Sequence, residues 1–197
     1  CHQGRTGAVH HGWKHFHDSE TVNYAPHFEG GLWACYLWAY GRTGYAPFLQ
    51  KTTNALTMTM KVYPSGWRWG DNIERARILL SLAWMVRVED TPEHRQWLLS
   101  VTGDLLKRQA TSGAIREWIA GTGGGHYQIP QSNEAYGTGE TPLIQKNGDP
   151  VSDQLYTSGF VLFALHEAVA ALKGDKTLKA AEDKLADYLV RIQTRSE

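Results

Sequence analysis

The apolar residues of the chain fall into six segments with helical periodicity, and these segments alternate between two kinds. The first, third and fifth are apolar on nearly every side, which is typical of buried helices, whereas the others carry one apolar stripe and one polar face. The pattern therefore predicts three buried helices, each followed by an outer amphipathic helix. The predicted helices span about 31–40, 46–61, 72–88, 92–109, 153–172 and 176–193.

Short and long connections alternate between these helices. The short turns occupy 41–44, 89–92 and 174–175, and the long segments occupy 1–30, 63–71 and 113–153. Thr91 followed by Pro92 is a typical helix start, and Glu74 has the position of an acid in the first turn of the third helix. Because each short turn closes a helical hairpin, we expect the three long segments to converge at the opposite end of the bundle.

The segment 113–153 has no sustained helical or strand period. It is rich in glycine, aromatic and acidic residues, whereas linkers seldom contain so many aromatic and aliphatic side chains. Long loops inside compact domains usually carry function. The sequence therefore predicts a single domain over 1–197 with an all-α fold of α/α hairpins and a site-forming irregular loop at 113–153.

Composition narrows the classes of partner. The chain has 197 residues with 20 basic and 20 acidic side chains, so no basic field favours binding to nucleic acid. The apolar runs are too short and too interrupted to span a bilayer, so we predict no membrane segment. The two cysteines form no disulfide framework, and Cys35 is predicted to be a buried free thiol. The compartment stays open, with the periplasm or secretion slightly favoured over the cytoplasm.

Tryptophan is frequent, with eight residues, of which four fall in the long segments. Exposed indole faces on loops suit sugar rings, although each tryptophan could instead fill irregular loop packing. The N-terminal histidines have a spacing that matches no closed zinc pattern. We therefore predict a carbohydrate site without a metal or another cofactor.

The hairpins AYGRTGYAPFLQKTTNAL and ALKGDKTLKAAEDKLADYL resemble those of the six-hairpin glycosidases, which are (α/α)6 toroids. The resemblance covers roughly 30–195 and implies a site at the end lined by the loops before the inner helices. The stretch SNEAYGTGETPLIQKNGDPVSDQLYT is similar to a β-glucuronidase-like branch. A closed toroid needs six hairpins and this chain supplies three, so the resemblance implies part of a toroid, completed by its remainder or by a homo-oligomer.

The predicted function is hydrolysis of a glycan that contains uronic acid, with an oligo- or polysaccharide as substrate. Glycoside hydrolysis requires one carboxyl group as acid and a second as base or nucleophile. The catalytic candidates are Glu134, Asp149, Glu117 and Asp153. Glu134 and Asp149 are preferred because their apolar-flanked segments could raise a carboxyl pKa. Asp149 could instead be a turn residue, and Asp153 a helix cap.

The candidates for substrate binding are the aromatic, histidine, cationic and amide side chains of the long segments, together with Glu29. They are Trp13, His15, His27, Glu29, Trp67, Trp69, Arg116, Trp118, His126, Tyr136 and Asn147. The arginine could donate two parallel hydrogen bonds to a substrate carboxylate. Two alternatives stay open: a polysaccharide lyase on a similar toroid, with a histidine or tyrosine base, and a helical-repeat module that binds carbohydrate or protein without catalysis.

Overall fold

The computed structural model describes residues 2–3, 9–10, 29–67, 72–116 and 154–193. Six α-helices form almost all of this part of the chain, and a π-helical stretch, Gln154–Gly159, leads into the fifth. The helices are α1 Gly30–Thr43, α2 Ala46–Lys61, α3 Asn72–Val88, α4 Pro92–Leu106, α5 Phe160–Ala171 and α6 Lys176–Arg191. A short antiparallel pair, β1 His2–Gln3 and β2 Val9–His10, precedes them. The predicted all-α class is confirmed, whereas the β pair was not predicted.

The short turns are formed by the helix-capping residues that the sequence contains. The Thr91 side chain accepts a hydrogen bond from the His94 N–H at the start of α4, and Asp175 accepts from the Thr177 and Leu178 N–H groups at the start of α6. Gly44 ends α1 in the left-handed conformation, φ 68°, which glycine adopts without strain. The two side-chain caps explain why α4 and α6 begin at the residues predicted for them, Pro92 and Lys176.

The three inner helices α1, α3 and α5 form a parallel row with α3 in the middle. Gly30 lies against the Arg77 carbonyl near the start of both helices, and Gly41 lies beside Val88 at their far ends, so α1 and α3 run in the same direction. A Cβ atom on Gly30 would be only 2.3 Å from the Arg77 oxygen, so this close approach requires glycine. Arg87 pairs with Glu167 of α5, while the Arg77 guanidinium lies 5.8 Å from the Phe160 ring centroid, which gives α5 the same direction.

The prediction that all three inner helices are buried on every side holds only for α3. Trp38 on α1 is 52% exposed and Phe163 on α5 is 54% exposed, because each of these helices packs against α3 on one side only. The predicted burial of Cys35 is wrong for the same reason, since its thiol lies on the exposed stripe of α1. Periodicity reported the apolar character of these helices but not the number of their neighbours.

The fourth helix ends at Leu106, three residues before its predicted end at 109. The chain then forms a tight hairpin over 108–116, in which Ala110 N–H donates to the Ala114 carbonyl at 2.8 Å and Arg116 N–H donates to the Arg108 carbonyl at 3.1 Å. This hairpin leads from the outer layer back towards the start of α3. It therefore places the beginning of the longest predicted loop.

Candidate functional site

The end of the bundle where the inner helices begin carries a group of buried polar residues, which we call the helix-start cluster. Its members are Glu29, Asn72, Glu74, Thr157 and Ser158, and each has 3% or less of its surface exposed. Because Gly30 and Phe160 both lie level with Arg77, the five residues fall within about one helical turn along the bundle axis. A group of buried polar side chains at one end of a helical core is typical of a functional site or of a polar structural network.

Two of these buried side chains are carboxyls, and both lie at the contact between α1 and α3. Glu29 directly precedes Gly30, which packs against Arg77 and whose carbonyl accepts a hydrogen bond from the Ser81 hydroxyl. Glu74 lies one turn before Ile78 on the same stripe of α3 as Ser81. Burial of a carboxylate is costly unless charges or hydrogen bonds compensate it. Two acids at one helix–helix contact therefore make this end electrostatically distinct from the rest of the core.

Asn72 connects the cluster to the third long segment. Its side-chain amide nitrogen donates to the Arg116 carbonyl at 2.8 Å, and Asn72 itself is fully buried at the start of α3. Glu29 lies directly before the first residue of α1, so the structure brings two of the predicted substrate-binding residues, Glu29 and Arg116, to the same end of the bundle. The Arg116 side chain is exposed there.

Trp67, a third predicted substrate-binding residue, lies in the core. It is 5% exposed, and its indole N–H donates to the Thr59 carbonyl at 3.0 Å. Its ring packs edge-on against Tyr63 with 4.6 Å between centroids. For Trp67 the alternative of loop packing therefore describes the observed role, and its ring offers no free face to a sugar in this conformation.

Tyr63 fastens the second long segment to two helices. Its hydroxyl donates to Asp104 Oδ2 of α4 at 2.5 Å and accepts from Arg75 Nε of α3 at 3.2 Å. Burial, together with the hydrogen bond to Asp104, raises the pKa of Tyr63 to about 12. The hydrogen bonds from Lys107 and Tyr63 hold the pKa of Asp104 below its ordinary value. Tyr63 thus stays protonated at neutral pH, and its role is to hold the chain rather than to remove a proton.

The other candidates lie outside the described residues. They are the four catalytic candidates, Glu117, Glu134, Asp149 and Asp153, and the binding candidates Trp13, His15, His27, Trp69, Trp118, His126, Tyr136 and Asn147. Within 29–67, 72–116 and 157–193, no three His, Cys, Asp or Glu side chains form a group that could hold a metal ion. None of the helices described above is both long and apolar enough to cross a membrane.

Sequence reasoning missed Asn72, Thr157 and Ser158 and assigned Glu74 to helix initiation only. The signal for Glu74 was present in the helical period, because it falls four residues before Ile78 on a stripe that is otherwise buried. Charged residues are seldom fully buried, so a charged residue on a buried stripe is more often functional than one on a solvated face. Thr157 and Ser158 had no such signal, since the π-helical stretch that positions them has no distinctive sequence period.

Comparison of the chain with protein-family models, with curated proteins and with solved structures found no match.

Proposed function

We propose that the chain forms part of a glycoside hydrolase that acts on a glycan containing uronic acid. The observation that carries this proposal is that the helix-start cluster has two buried carboxyl groups at the same end of the bundle as the exposed Arg116, whose carbonyl accepts a hydrogen bond from Asn72 of the cluster. Hydrolysis by an acid and a base or nucleophile needs two carboxyl groups in different environments. Recognition of a uronate needs a cationic side chain near its carboxylate.

Hydrolysis of a glycosidic bond requires one carboxylic acid to protonate the leaving oxygen and one carboxylate to activate water or to attack the anomeric carbon. We assign these roles to Glu134 and Asp149, with Glu117 and Asp153 as the next candidates. Glu29 and Glu74 form the floor of the proposed site. Their burial excludes water from one side of the site, which strengthens charge interactions there.

The proposal is tested with a chromogenic uronide, while cleavage by elimination is followed in parallel as absorbance of an unsaturated product. Release of the chromophore without unsaturation supports hydrolysis, whereas unsaturation would favour the lyase alternative. If neither signal appears, the hydrolase and lyase proposals both fail and a binding module remains.

Substitutions distinguish site residues from ordinary acids. Glu134→Gln and Asp149→Asn should each lower kcat by about two to four orders of magnitude while the circular dichroism spectrum is unchanged. Glu93→Gln is the matched control, because Glu93 is exposed and lies at the start of α4, at the short-turn end of the bundle. Near-normal turnover in both of the first two variants would move the assignment to Glu117, Asp153 or Glu29.

A further inference from the structure

The backbone of Arg116 is fixed on both sides. Its N–H donates to the Arg108 carbonyl at 3.1 Å, and its carbonyl accepts from the Asn72 side chain at 2.8 Å. Residues alternate in direction along an extended strand, and the preceding Ile115 is fully buried in the core. The side chain of Arg116 is therefore directed away from the core, at the end of the bundle where α3 begins.

The hairpin that presents Arg116 is itself held by α6. One amide nitrogen of Gln109 reaches both the Gly113 carbonyl at 3.2 Å and the Ala181 carbonyl at 2.9 Å. Gly113 has φ +100°, and a Cβ atom there would be 2.0 Å from the Lys184 carbonyl oxygen. Such a fit leaves the hairpin little freedom to move, so the base of the Arg116 side chain is preorganised.

The charge of Arg116 is not used within the part of the chain that the structure describes. Its guanidinium has no hydrogen bond or ion pair to a described residue. By contrast, Arg87 pairs with Glu167 and Arg95 pairs with Asp90. A rigidly held backbone that carries an exposed guanidinium, with no partner among the described residues, suits the capture of an external anion.

We propose that Arg116 determines specificity by binding the carboxylate of a uronic acid, and that Asn72 is a positioning residue that holds Arg116 in place. This inference rests on the proposed function and assigns the recognition step to named residues. A guanidinium matches the planar geometry of a carboxylate with two parallel hydrogen bonds, which a neutral sugar bearing a CH2OH group cannot accept in the same way. Asn72 contributes by fixing the carbonyl of the residue whose side chain binds.

The test compares a chromogenic uronide with the matched neutral glycoside, which carries CH2OH in place of the carboxylate. Arg116→Gln should lower kcat/KM for the uronide about 10- to 100-fold, which is the effect expected for loss of charge-assisted hydrogen bonds. The same variant should leave kcat/KM for the neutral glycoside unchanged. Arg116→Lys should have a kcat/KM for the uronide between those of the unchanged protein and of Arg116→Gln, because lysine keeps the positive charge but cannot form two parallel hydrogen bonds. Arg42→Gln is the control, since Arg42 is exposed in the last turn of α1 at the opposite end.

Asn72→Asp keeps the shape of the side chain but removes the donor to Arg116. A positioning role predicts a higher KM for the uronide, with kcat and the neutral substrate little changed per folded molecule. If the role of Asn72 were purely structural, the substitution would instead lower kcat/KM for both substrates by the same factor. Equal losses on both substrates would overturn the assignment of Asn72.

A binding measurement separates this inference from the hydrolase proposal. Titration calorimetry with glucuronate and with glucose gives the carboxylate preference without turnover. If the protein binds glucuronate and Arg116→Gln abolishes that binding, the inference stands even when no substrate is cleaved. If Arg116→Gln leaves both the selectivity and the binding unchanged, or if the protein neither cleaves uronides nor binds glucuronate, the inference is overturned.

Discussion

Replacement of Tyr63 by phenylalanine should reveal how strongly the second long segment is tied to the bundle. The change removes the hydroxyl that joins Asp104 to Arg75 and leaves the packing of the ring against Trp67 intact. Burial is the first cause of the raised pKa of Tyr63 and penalises the tyrosinate, so the hydroxyl contributes at pH 8 through its two hydrogen bonds rather than through the pKa shift. Each hydrogen bond contributes about 0.5–1.5 kcal/mol and Tyr63 is only half-buried, so we expect Tyr63→Phe to lower the free energy of unfolding by about 1–2 kcal/mol.

The pH dependence of this loss has a definite sign. Since the folded-state pKa lies above the unfolded value of 10.0, the stabilisation by the protonated phenol is complete below pH 10 and is lost as the pH rises towards about 12. At the upper limit the tyrosinate would also face the Asp104 carboxylate. The difference in unfolding free energy between the native protein and Tyr63→Phe should therefore shrink across this range.

Urea unfolding at pH 8, 10, 11 and 12, followed by circular dichroism, measures this difference. Tyr45→Phe is the control, because Tyr45 is 57% exposed and loss of its hydroxyl should change the unfolding free energy by less than about 0.5 kcal/mol. A Tyr63→Phe difference that is absent at pH 8, or that stays constant up to pH 12, would refute the reasoning.

Three further predictions follow from single contacts. In thermal unfolding, Gly113→Ala should destabilise the protein by about 3 kcal/mol or more, because the positive φ of Gly113 and the nearby Lys184 carbonyl both oppose a side chain. Gly44→Ala is the control and should destabilise it by only about 1 kcal/mol, because Gly44 has a positive φ but no atom close to an added Cβ. Trp67→Phe should lower stability by about 1–2 kcal/mol without changing kcat per folded molecule, and loss of turnover without loss of stability would restore the sugar-platform role. Cys35 should react with a thiol reagent in the folded protein, with Cys35→Ser as the blank, and protection until unfolding would contradict its exposure.

The helical hairpins were predictable because local signals and tertiary packing agree. Thr91 and Asp175 cap helices, and Gly44 takes the left-handed conformation that ends α1. These roles depend only on the local backbone, so the sequence around each turn indicates where the helices begin and end. The end of α4 was not predictable in this way. The chain leaves the helix at Leu106 because Gln109 and Gly113 fit against the distant helix α6, and no local pattern encodes that contact.

The candidate site was predictable only as far as its end of the bundle. The alternation of short and long connections predicted one end of the bundle for Glu29 and Arg116, because it depends on topology alone, and both residues lie at that end. Trp67 shows the limit of this argument, because residue type and loop position do not reveal whether a ring faces solvent or core. Glu74 shows the reverse case, in which an acid assigned to helix initiation lies fully buried among the inner helices.

The exposed faces of α1 and α5 bear on the predicted partner. Leu32 and Trp38 on α1, and Phe160 and Phe163 on α5, are 40–54% exposed, and these two helices flank α3 in the row of inner helices. Exposed apolar patches of this kind mark interaction surfaces, so the prediction that a second copy or the remainder of a toroid covers them is retained. Light scattering at increasing concentration tests it, with Phe163→Glu as the variant and Val190→Glu, on the outer helix α6, as the control. Association that only Phe163→Glu abolishes would identify a second copy, whereas a monomer that binds a hydrophobic dye through this face would leave the remainder of a toroid as the cover. A monomer that binds no dye would show that these side chains need no partner.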